Sequence, residues 1–199
     1  MKVAIDQQTK QILDSTISKL DEWWKKSIAY ISENQRYIYN VEIDGIILYD
    51  GYEDYITENI NKINEIKVNT LSIEESILNT EKTIDEYLDR FIPTANRITE
   101  QLYGKIDLRQ RDLFSKLVQG LDWIIQAMEF NRTLNARINT TSSSYSLGVK
   151  IFDSLTSCVG EIYKSIIQED FVSVGDVLKY EVIPLLEKYR DRNKKSDLI

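Results

Sequence analysis

The sequence predicts a mainly α-helical protein, an antiparallel bundle of five to six helices with a small β-hairpin near residues 38–50. Apolar residues recur three or four positions apart along most of the chain. An Asp-Gly pair separates two β-rich runs. The 199 residues, of which 42% are hydrophobic, suffice for one substantial core. We therefore expect a single domain over residues 1–199, with a helix, the hairpin and a short helix in residues 1–70 and the main bundle in residues 71–199.

The first helices are predicted from apolar stripes and a cap. Residues 11–32 carry the first stripe, which comprises Leu13, Ile17, Leu20, Trp24, Ile28 and Ile31. A second, shorter helix carries Tyr52, Ile56, Ile60 and Ile63. Ser72 and Glu75 form a capping box, in which the serine hydroxyl accepts from a backbone amide and the glutamate reaches back. The third helix is therefore expected to start there.

The remaining helices account for residues 73–189. The third helix has the longest stripe, and Pro93 lies inside it, so we expect a kink or a break near Ile92. The serine-rich and threonine-rich residues 139–146 predict the longest loop, between the fourth and fifth helices. Pro184 is expected to bend the sixth helix. Amphipathic helices joined by short connections bury their stripes against one another, which favours an antiparallel bundle.

The hairpin is predicted from "VEIDGIILYDGYEDYITENI", residues 41–60. A helix-loop-helix calcium site needs oxygen ligands at fixed positions and a glycine at the sixth, which neither Asp44 nor Asp50 as first residue provides. Asp44-Gly45 instead favours a two-residue turn, and Asp50 is available to cap the second helix. "KVAI" at residues 2–5 and "EIKVNT" at residues 65–70 are further extended segments, either of which can join the hairpin.

Missing residue types exclude several chemistries. The chain has no histidine, which removes histidine-dependent triads, Cys/His zinc sites and di-iron bundles. It also lacks glycine-rich phosphate-binding motifs. Cys158 lies near an apolar stripe without a neighbouring base, which favours a buried structural thiol. Glu81, Asp85 and Asp89 share a helix face, but interleaved basic residues favour a solvated, charge-balanced face over a metal site. We predict no metal or cofactor, and the sequence assigns no catalytic group.

Charge and hydropathy restrict the partners. The net charge of −7 disfavours nucleic-acid binding, because the summed field repels phosphate. No apolar run approaches the roughly 20 residues that cross a bilayer, so no integral membrane segment is expected. The single cysteine and the absence of an apolar run at the N-terminus favour a cytoplasmic location.

Aromatic residues are the candidate partner-binding site: Trp23, Trp24, Tyr37, Tyr39 and Tyr49. Trp24 continues the first stripe, whereas Trp23 lies about 100° away around the helix. One interpretation is that a wide apolar face buries both tryptophans within the monomer. The other is that Trp23 and the three tyrosines form an exposed contact patch for a protein partner or for the second subunit of a homodimer.

Three stretches carry a resemblance: residues 41–60 quoted above, "LVQGLDWIIQAM" and "VLKYEVIPLLEKY". They resemble segments of uncharacterised helical proteins of low-GC Gram-positive bacteria, over residues 38–189. The resemblance implies a helical fold and a bacterial source, and it implies no activity and no residue role.

The sequence therefore predicts a non-catalytic helical bundle that acts through protein–protein contacts as an adaptor, chaperone-like or regulatory module. The alternative is a small-molecule-binding bundle, with or without enzymatic activity, whose ligand lies near Pro93 or Pro184. The first function requires an exposed apolar patch. The second requires an enclosed pocket lined by a few polar groups.

Overall fold

The computed structural model describes residues 1–14, 16–104, 108–140 and 142–192. Most of these residues are helical, which confirms the mainly α prediction. The chain divides into two compact units, Met1–Leu78 and Asn79–Ile199. The expected single domain, with its boundary near residue 70, stays a prediction, and each unit is described by itself. The predicted bundle range of 71–199 includes residues 105–107, 141 and 193–199, which lie outside the described residues.

The first unit contains a five-stranded mixed sheet with two helices. Its elements are β1 (Lys2–Ile5), β2 (Gln11–Ile12), α1 (Ile17–Glu33), β3 (Tyr37–Ile43), β4 (Ile46–Leu48), α2 (Tyr52–Asn59) and β5 (Glu65–Leu71). The strand order is β2-β1-β5-β3-β4, with β1 parallel to β5 and the other neighbours antiparallel. Both further extended segments, which form β1 and β5, therefore join the strands near residues 38–50.

One face of the sheet forms the core of this unit with the helices. Side chains alternate along each strand, so cross-strand neighbours Val3 and Ile66, and Val41 and Val68, share the buried face. They pack with Leu20, Trp23, Ile31, Ile56 and Ile60 of the helical layer. The opposite face carries charged residues such as Glu42 and Lys67, which are cross-strand neighbours. We call it the open face.

Helix α1 differs from its prediction in start and in phase. Gln11 and Ile12 form strand β2, and the helix begins at Ile17 after the N-cap Thr16. Its buried residues are Leu20, Trp23, Ser27 and Ile31, whereas Ile17 and Ile28 of the predicted stripe are exposed. The Ser27 hydroxyl donates to the carbonyl of Trp23 at 2.8 Å, so a small polar residue is satisfied inside the core. A stripe defined by apolar residues alone misses this position.

Asp44 and Gly45 connect β3 to β4. Both have positive φ, 47° and 86°, which a two-residue turn of this kind requires. The Asp44 carboxylate accepts from the backbone amides of Asn64 and Glu65, the latter at 2.8 Å, and so holds the turn against the start of β5. The N-cap of α2 is Gly51, with no side-chain hydrogen bond, so the expectation that Asp50 caps this helix is wrong.

Helices form the second unit. They are α3 (Ile73–Gln101), which starts in the first unit, α4 (Leu108–Arg137), α5 (Ser143–Ile167), α6 (Phe171–Val177), a π-helical segment (Leu178–Val182) and α7 (Ile183–Arg190). The predicted capping box is confirmed: the Glu75 amide donates to the Ser72 hydroxyl at 3.1 Å, and the Ser72 amide donates to the Glu75 carboxylate at 2.7 Å. The buried faces of α3, α4, α5 and α7 form one core.

Both prolines lie within helical stretches. Helix α3 continues through Pro93, so it is not broken there, and the expected kink stays a prediction, as does the bend expected at Pro184. Pro184 is the second residue of α7, which follows the π-helical segment. Proline has no amide to donate to the carbonyl four residues before it, and a wider turn accommodates that loss. The predicted loop at residues 139–146 is shorter than expected, because the Ser142 hydroxyl accepts from the Tyr145 amide and caps α5.

Gly120 allows a close approach between α3 and α4. A Cβ atom there would lie 2.4 Å from the Tyr87 hydroxyl and 3.0 Å from the Phe91 ring. We expect Gly120→Ala to lower the free energy of unfolding by about 1 to 3 kcal/mol, because the rings must shift. Gly160→Ala, where a Cβ meets nothing within 4 Å, is the matched control, and it should stabilise the helix by up to about 1 kcal/mol. Urea unfolding followed by circular dichroism measures both, and equal values for the two variants would contradict the close approach.

Candidate functional site

The two tryptophans belong to the helical layer of the first unit. Trp23 is 7% exposed and packs in the core, so the interpretation that places it in an exposed contact patch is wrong. The cause is the shifted phase of α1, which turns Trp23 towards the sheet. Trp24 is half-buried, and its ring centroid lies 5.7 Å from that of Tyr52. Both residues thus help to hold α1 and α2 in place.

The tyrosines lie on the sheet. Tyr37 starts β3 opposite Leu71 and is half-buried. Tyr39 lies where the β3–β5 register shifts, and a bulge of this kind re-aims a side chain. Its ring meets that of Tyr49 edge to face, with centroids 5.5 Å apart at 78°. Burial and a hydrogen bond with Tyr49 raise the pKa of Tyr39 above its usual value, so Tyr39 stays neutral at physiological pH. Tyr49 is 63% exposed.

Two isoleucines of β4 extend this aromatic pair. Ile46 is 50% exposed and Ile47 is 51% exposed, although both belong to a strand. The sequence did not indicate them as site residues, because "IIL" has the composition of an ordinary strand. Only the pairing of β4 with β3 places this strand at the margin of the sheet. We call Tyr39, Ile46, Ile47 and Tyr49 the edge patch.

The backbone of the edge patch is open on one side. In the described sheet β4 pairs with β3 alone. The amide of Asp44 donates towards β5, to the carbonyl of Glu65 at 3.0 Å, so the preceding amide of Ile43 points the other way, to β4. Ile43 and Ile46 are therefore the hydrogen-bonded pair, and Glu42 and Ile47 are not. The amide and the carbonyl of Ile47 consequently point away from the sheet.

The segment of the chain that contains β4 is strongly acidic. Between Arg36 and Lys62 the sequence has no lysine or arginine and six acidic residues, which gives this segment a charge of −6. Those residues are Glu42, Asp44, Asp50, Glu53, Asp54 and Glu58. All except Glu42 are exposed. This one segment therefore carries a charge nearly equal to the net charge of the whole chain, which is −7.

Two hollows lie along the open face. One, of about 660 Å³, is lined by both signs of charge, including Lys2, Lys67 and Glu42, and contains an ion pair between Lys10 and Glu65. The other, of about 650 Å³, includes Tyr39.

The second hollow is braced by a hydrogen-bonded network. Thr70 donates to Asp6 from its amide and its hydroxyl, each at 2.7 Å, and Arg36 Nε donates to the Thr70 hydroxyl at 2.6 Å. These side chains hold the loops at the end of the sheet.

The second unit contains a small polar cavity. It measures about 30 Å³ and is lined by polar residues of several helices, among them Glu81, Asn131, Asn135 and Arg192. Arg192, whose side chain is 2% exposed, lies 3.2 Å from Asp85 and 3.3 Å from Glu81. Its guanidinium lies 3.6 Å from the ring centroid of Tyr189, and burial raises the pKa of Tyr189 to about 12. A cavity of this size holds a water molecule rather than a metabolite.

Groups suited to metal or covalent chemistry are sparse. Among the described residues, no three histidine, cysteine, aspartate or glutamate side chains are grouped closely enough to hold a metal ion. Burial and the carboxylate of Glu181, 3.6 Å from the Cys158 sulfur, raise the pKa of Cys158 to about 11. Cys158 is therefore a neutral thiol at physiological pH, which supports its structural interpretation.

Comparisons with known proteins concern the second unit. Residues 79–192 match a family model described as a domain of unknown function (DUF8042). Searches of curated proteins and of solved structures found no match. The match starts at the first residue of the second unit, so the edge patch lies outside it and the Arg192 cluster lies inside it. In the part of the chain that the structure describes, no helix has the length and hydropathy needed to cross a membrane.

Proposed function

We propose that this chain, which belongs to the DUF8042 domain family over more than half of its length, acts as a non-catalytic protein–protein interaction module. The observation that carries the proposal is the edge patch, in which half-exposed isoleucines of β4, the edge strand of the described sheet, adjoin a tyrosine pair. An adaptor, a chaperone-like protein or a regulatory module would each use such a surface to bind another protein without catalysing a reaction.

The composition of the edge patch suits a contact surface. Tyrosine is enriched among the residues that dominate binding energy, because its ring buries a large area while its hydroxyl keeps a polar contact. Unpaired edge strands expose a row of donors and acceptors that another chain can satisfy. Ile46, Ile47 and Tyr49 supply apolar area within four consecutive positions, and Ile47 adds an outward-pointing amide and carbonyl.

The rest of the chain serves as scaffold in this proposal. The short connections from α4 to α5 and from α5 to α6 favour antiparallel helices around the core of the second unit. A bacterial source and a cytoplasmic location are part of the proposal, supported by the resemblance and by the composition. A homodimer through the edge patch is disfavoured, because each copy brings the same carboxylates.

The alternative function, binding of a small molecule, has weaker support. The cavity beside Arg192 holds about 30 Å³, and the groove between α1 and α2 holds about 280 Å³. Typical ligand sites are about 300 to 1,000 Å³ and mostly apolar. Two hollows of that size lie on the open face and are lined by charges of both signs. A third, of about 530 Å³, lies in the second unit and is lined by Arg97, Ile98, Gln101, Arg109, Gln110 and Leu113. Neither Pro93 nor Pro184 lines any of these five spaces.

Affinity purification of the tagged chain from cells that express it tests the proposal, with Tyr49→Ala as the edge variant. Tyr180, 66% exposed in the π-helical segment, provides the matched control Tyr180→Ala. We expect a stoichiometric protein partner whose recovery falls at least about tenfold with Tyr49→Ala, because contact tyrosines typically contribute about 2 kcal/mol or more. Recovery with Tyr180→Ala should match the parent chain.

The melting temperature of both variants serves as the folding check, since exposed substitutions change stability by less than about 1 kcal/mol. A partner retained by Tyr49→Ala, or lost equally with both variants, would contradict the proposed function.

A further inference from the structure

We propose that the partner segment is an extended, basic peptide that adds a sixth strand to the sheet along β4. This inference rests on the proposed function, since it assigns the chemistry and the geometry of the partner at the edge patch.

The first argument is the contrast between the two margins of the sheet. Strand β2 is two residues long and is preceded by Lys10, which is paired with Glu65. Lysine at a sheet edge is a device that protects it from further pairing. Strand β4 has the sequence Ile-Ile-Leu, with neither lysine nor proline. The unprotected margin of the sheet is therefore at β4.

The second argument is the direction of the backbone groups. The amide and the carbonyl of Ile47 point away from β3, as the register of the turn requires. An added strand accepts from this amide and donates to this carbonyl. Main-chain hydrogen bonds of this kind supply affinity in strand addition, and side-chain pockets supply specificity.

The third argument is the placement of side chains around the added strand. Ile47 lies on the open face beside Glu42, whereas Ile46 lies on the opposite face beside Ile43. The side chains of an added strand alternate between the two faces of the sheet. Those on the open face meet Ile47 and the carboxylate of Glu42, and those on the opposite face meet the apolar surface beside Ile46. The tyrosine pair extends this surface beyond the end of β4.

The fourth argument is charge. The segment between Arg36 and Lys62 carries six carboxylates and no cation. Glu42 lies opposite Ile47, with Lys67 as its neighbour on β5, and Asp50 follows Tyr49, so carboxylates adjoin both ends of this edge and attract lysine and arginine side chains. A second copy of the same strand would bring the same carboxylates and is repelled. The chemistry that fits is thus a β-branched, lysine-containing or arginine-containing extended segment.

Fluorescence anisotropy with the purified full-length chain tests the inference. The probes are two labelled peptides of equal length, one alternating lysine with valine and one alternating glutamate with valine. We expect the lysine peptide to bind and the glutamate peptide not to bind. Binding should weaken between about 0.01 M and about 1 M salt, because the Debye length falls from about 30 to about 3 Å.

Ile47→Pro separates strand addition from side-chain contact. Proline removes the outward amide while leaving the β3 ladder intact, as edge positions allow. We expect Ile47→Pro to weaken binding of the lysine peptide at least about fivefold, which corresponds to one lost hydrogen bond. Ile47→Val keeps the amide and should bind within about twofold of the parent chain.

Amide hydrogen exchange of the parent chain gives a readout that needs no variant. The lysine peptide should slow exchange at Ile47 and leave the already paired amides of β5 unchanged. Equal binding of both peptides, binding of neither, unchanged exchange at Ile47, or a chain dimer that Ile47→Pro dissociates would each overturn strand addition. If these results occur while Tyr49→Ala still abolishes partner recovery, strand addition fails and the proposed function stands; if recovery is unaffected by Tyr49→Ala, the proposed function itself fails.

Discussion

Trp23→Ala is expected to lower the free energy of unfolding of the first unit by about 3 to 5 kcal/mol, as for other large aromatic residues removed from a core. Trp23 is 7% exposed and packs among Leu20, Ile31 and the buried strands. Amide hydrogen exchange at β3 and β5 measures the effect in this unit alone, which matters because a chain of two units need not unfold in one step.

Trp24→Ala is the matched comparison for this prediction. Trp24 is the next residue of the same helix and is half-buried, so less area is lost and the decrease should be smaller. A decrease below about 1 kcal/mol for Trp23→Ala is the result of a surface substitution. That result would restore the interpretation in which Trp23 belongs to an exposed contact patch.

Arg192→Ala is expected to lower the free energy of unfolding of the second unit by about 2 to 4 kcal/mol, because breaking a buried ion pair leaves its partners without compensation. Arg192 contacts Glu81 and Asp85 of α3, and its guanidinium donates to the carbonyl of Tyr189 at 2.8 Å. We place the value below that of a fully buried triad, since the two carboxylates are about one third exposed.

Urea unfolding followed by the helical signal measures the Arg192 effect. Arg97→Ala, at an exposed arginine of α3, is the matched control and should change stability by less than about 0.5 kcal/mol. Arg192→Lys should recover part of the loss, because it restores the charge but not the planar group above Tyr189. Equal effects of Arg192→Ala and Arg97→Ala on the free energy of unfolding would show that the ion pairs of Arg192 do not stabilise the second unit.

Local signals predicted the helices of the second unit well. The stripes of α3, α4 and α5 have the helical period, and the capping box at Ser72 depends on residues three apart. Features that depend on distant residues were not predictable. Pairing of Val3 with Ile66 joins strands from opposite ends of the first unit, and neither strand exceeds seven residues. Periodicity within a segment contains no information about its neighbour in the sheet.

The same limit explains the acidic face of α3. Glu81, Asp85 and Asp89 were interpreted as a solvated face balanced by neighbouring basic residues. Glu81 and Asp85 instead contact Arg192, and Asp89 lies 3.8 Å from Arg190, both more than a hundred positions away in the chain. The sequence argument against a metal site was that cations balance these carboxylates. Cations do so in the structure, but they are Arg190 and Arg192 on a distant segment of the chain.

The candidate site was predictable in part. Tyr39 and Tyr49 could be selected by residue type, and the run of acidic residues is visible in the sequence. Ile46 and Ile47 could not, because only the strand order places β4 at the margin of the sheet. Trp23 was expected either in the core or in an exposed patch, and it lies in the core because Ser27, with its hydroxyl bonded within the helix, shares the buried side of α1.

The edge patch belongs to the first unit, whereas the family match covers the second. A fold or a family does not define function, which depends on the groups at a site. The interaction proposed for this chain is therefore a property of residues 1–78 and is not extended to other members of the family.

Site-specific photo-crosslinking in the cells that express the chain tests the central claim most directly. A benzophenone amino acid replaces Tyr49 in one variant and the equally exposed Tyr180 in the other. The account predicts a discrete adduct with one partner protein from position 49 and none from position 180. No adduct from position 49, or the same adducts from both positions, would contradict an interaction surface at the β4 edge.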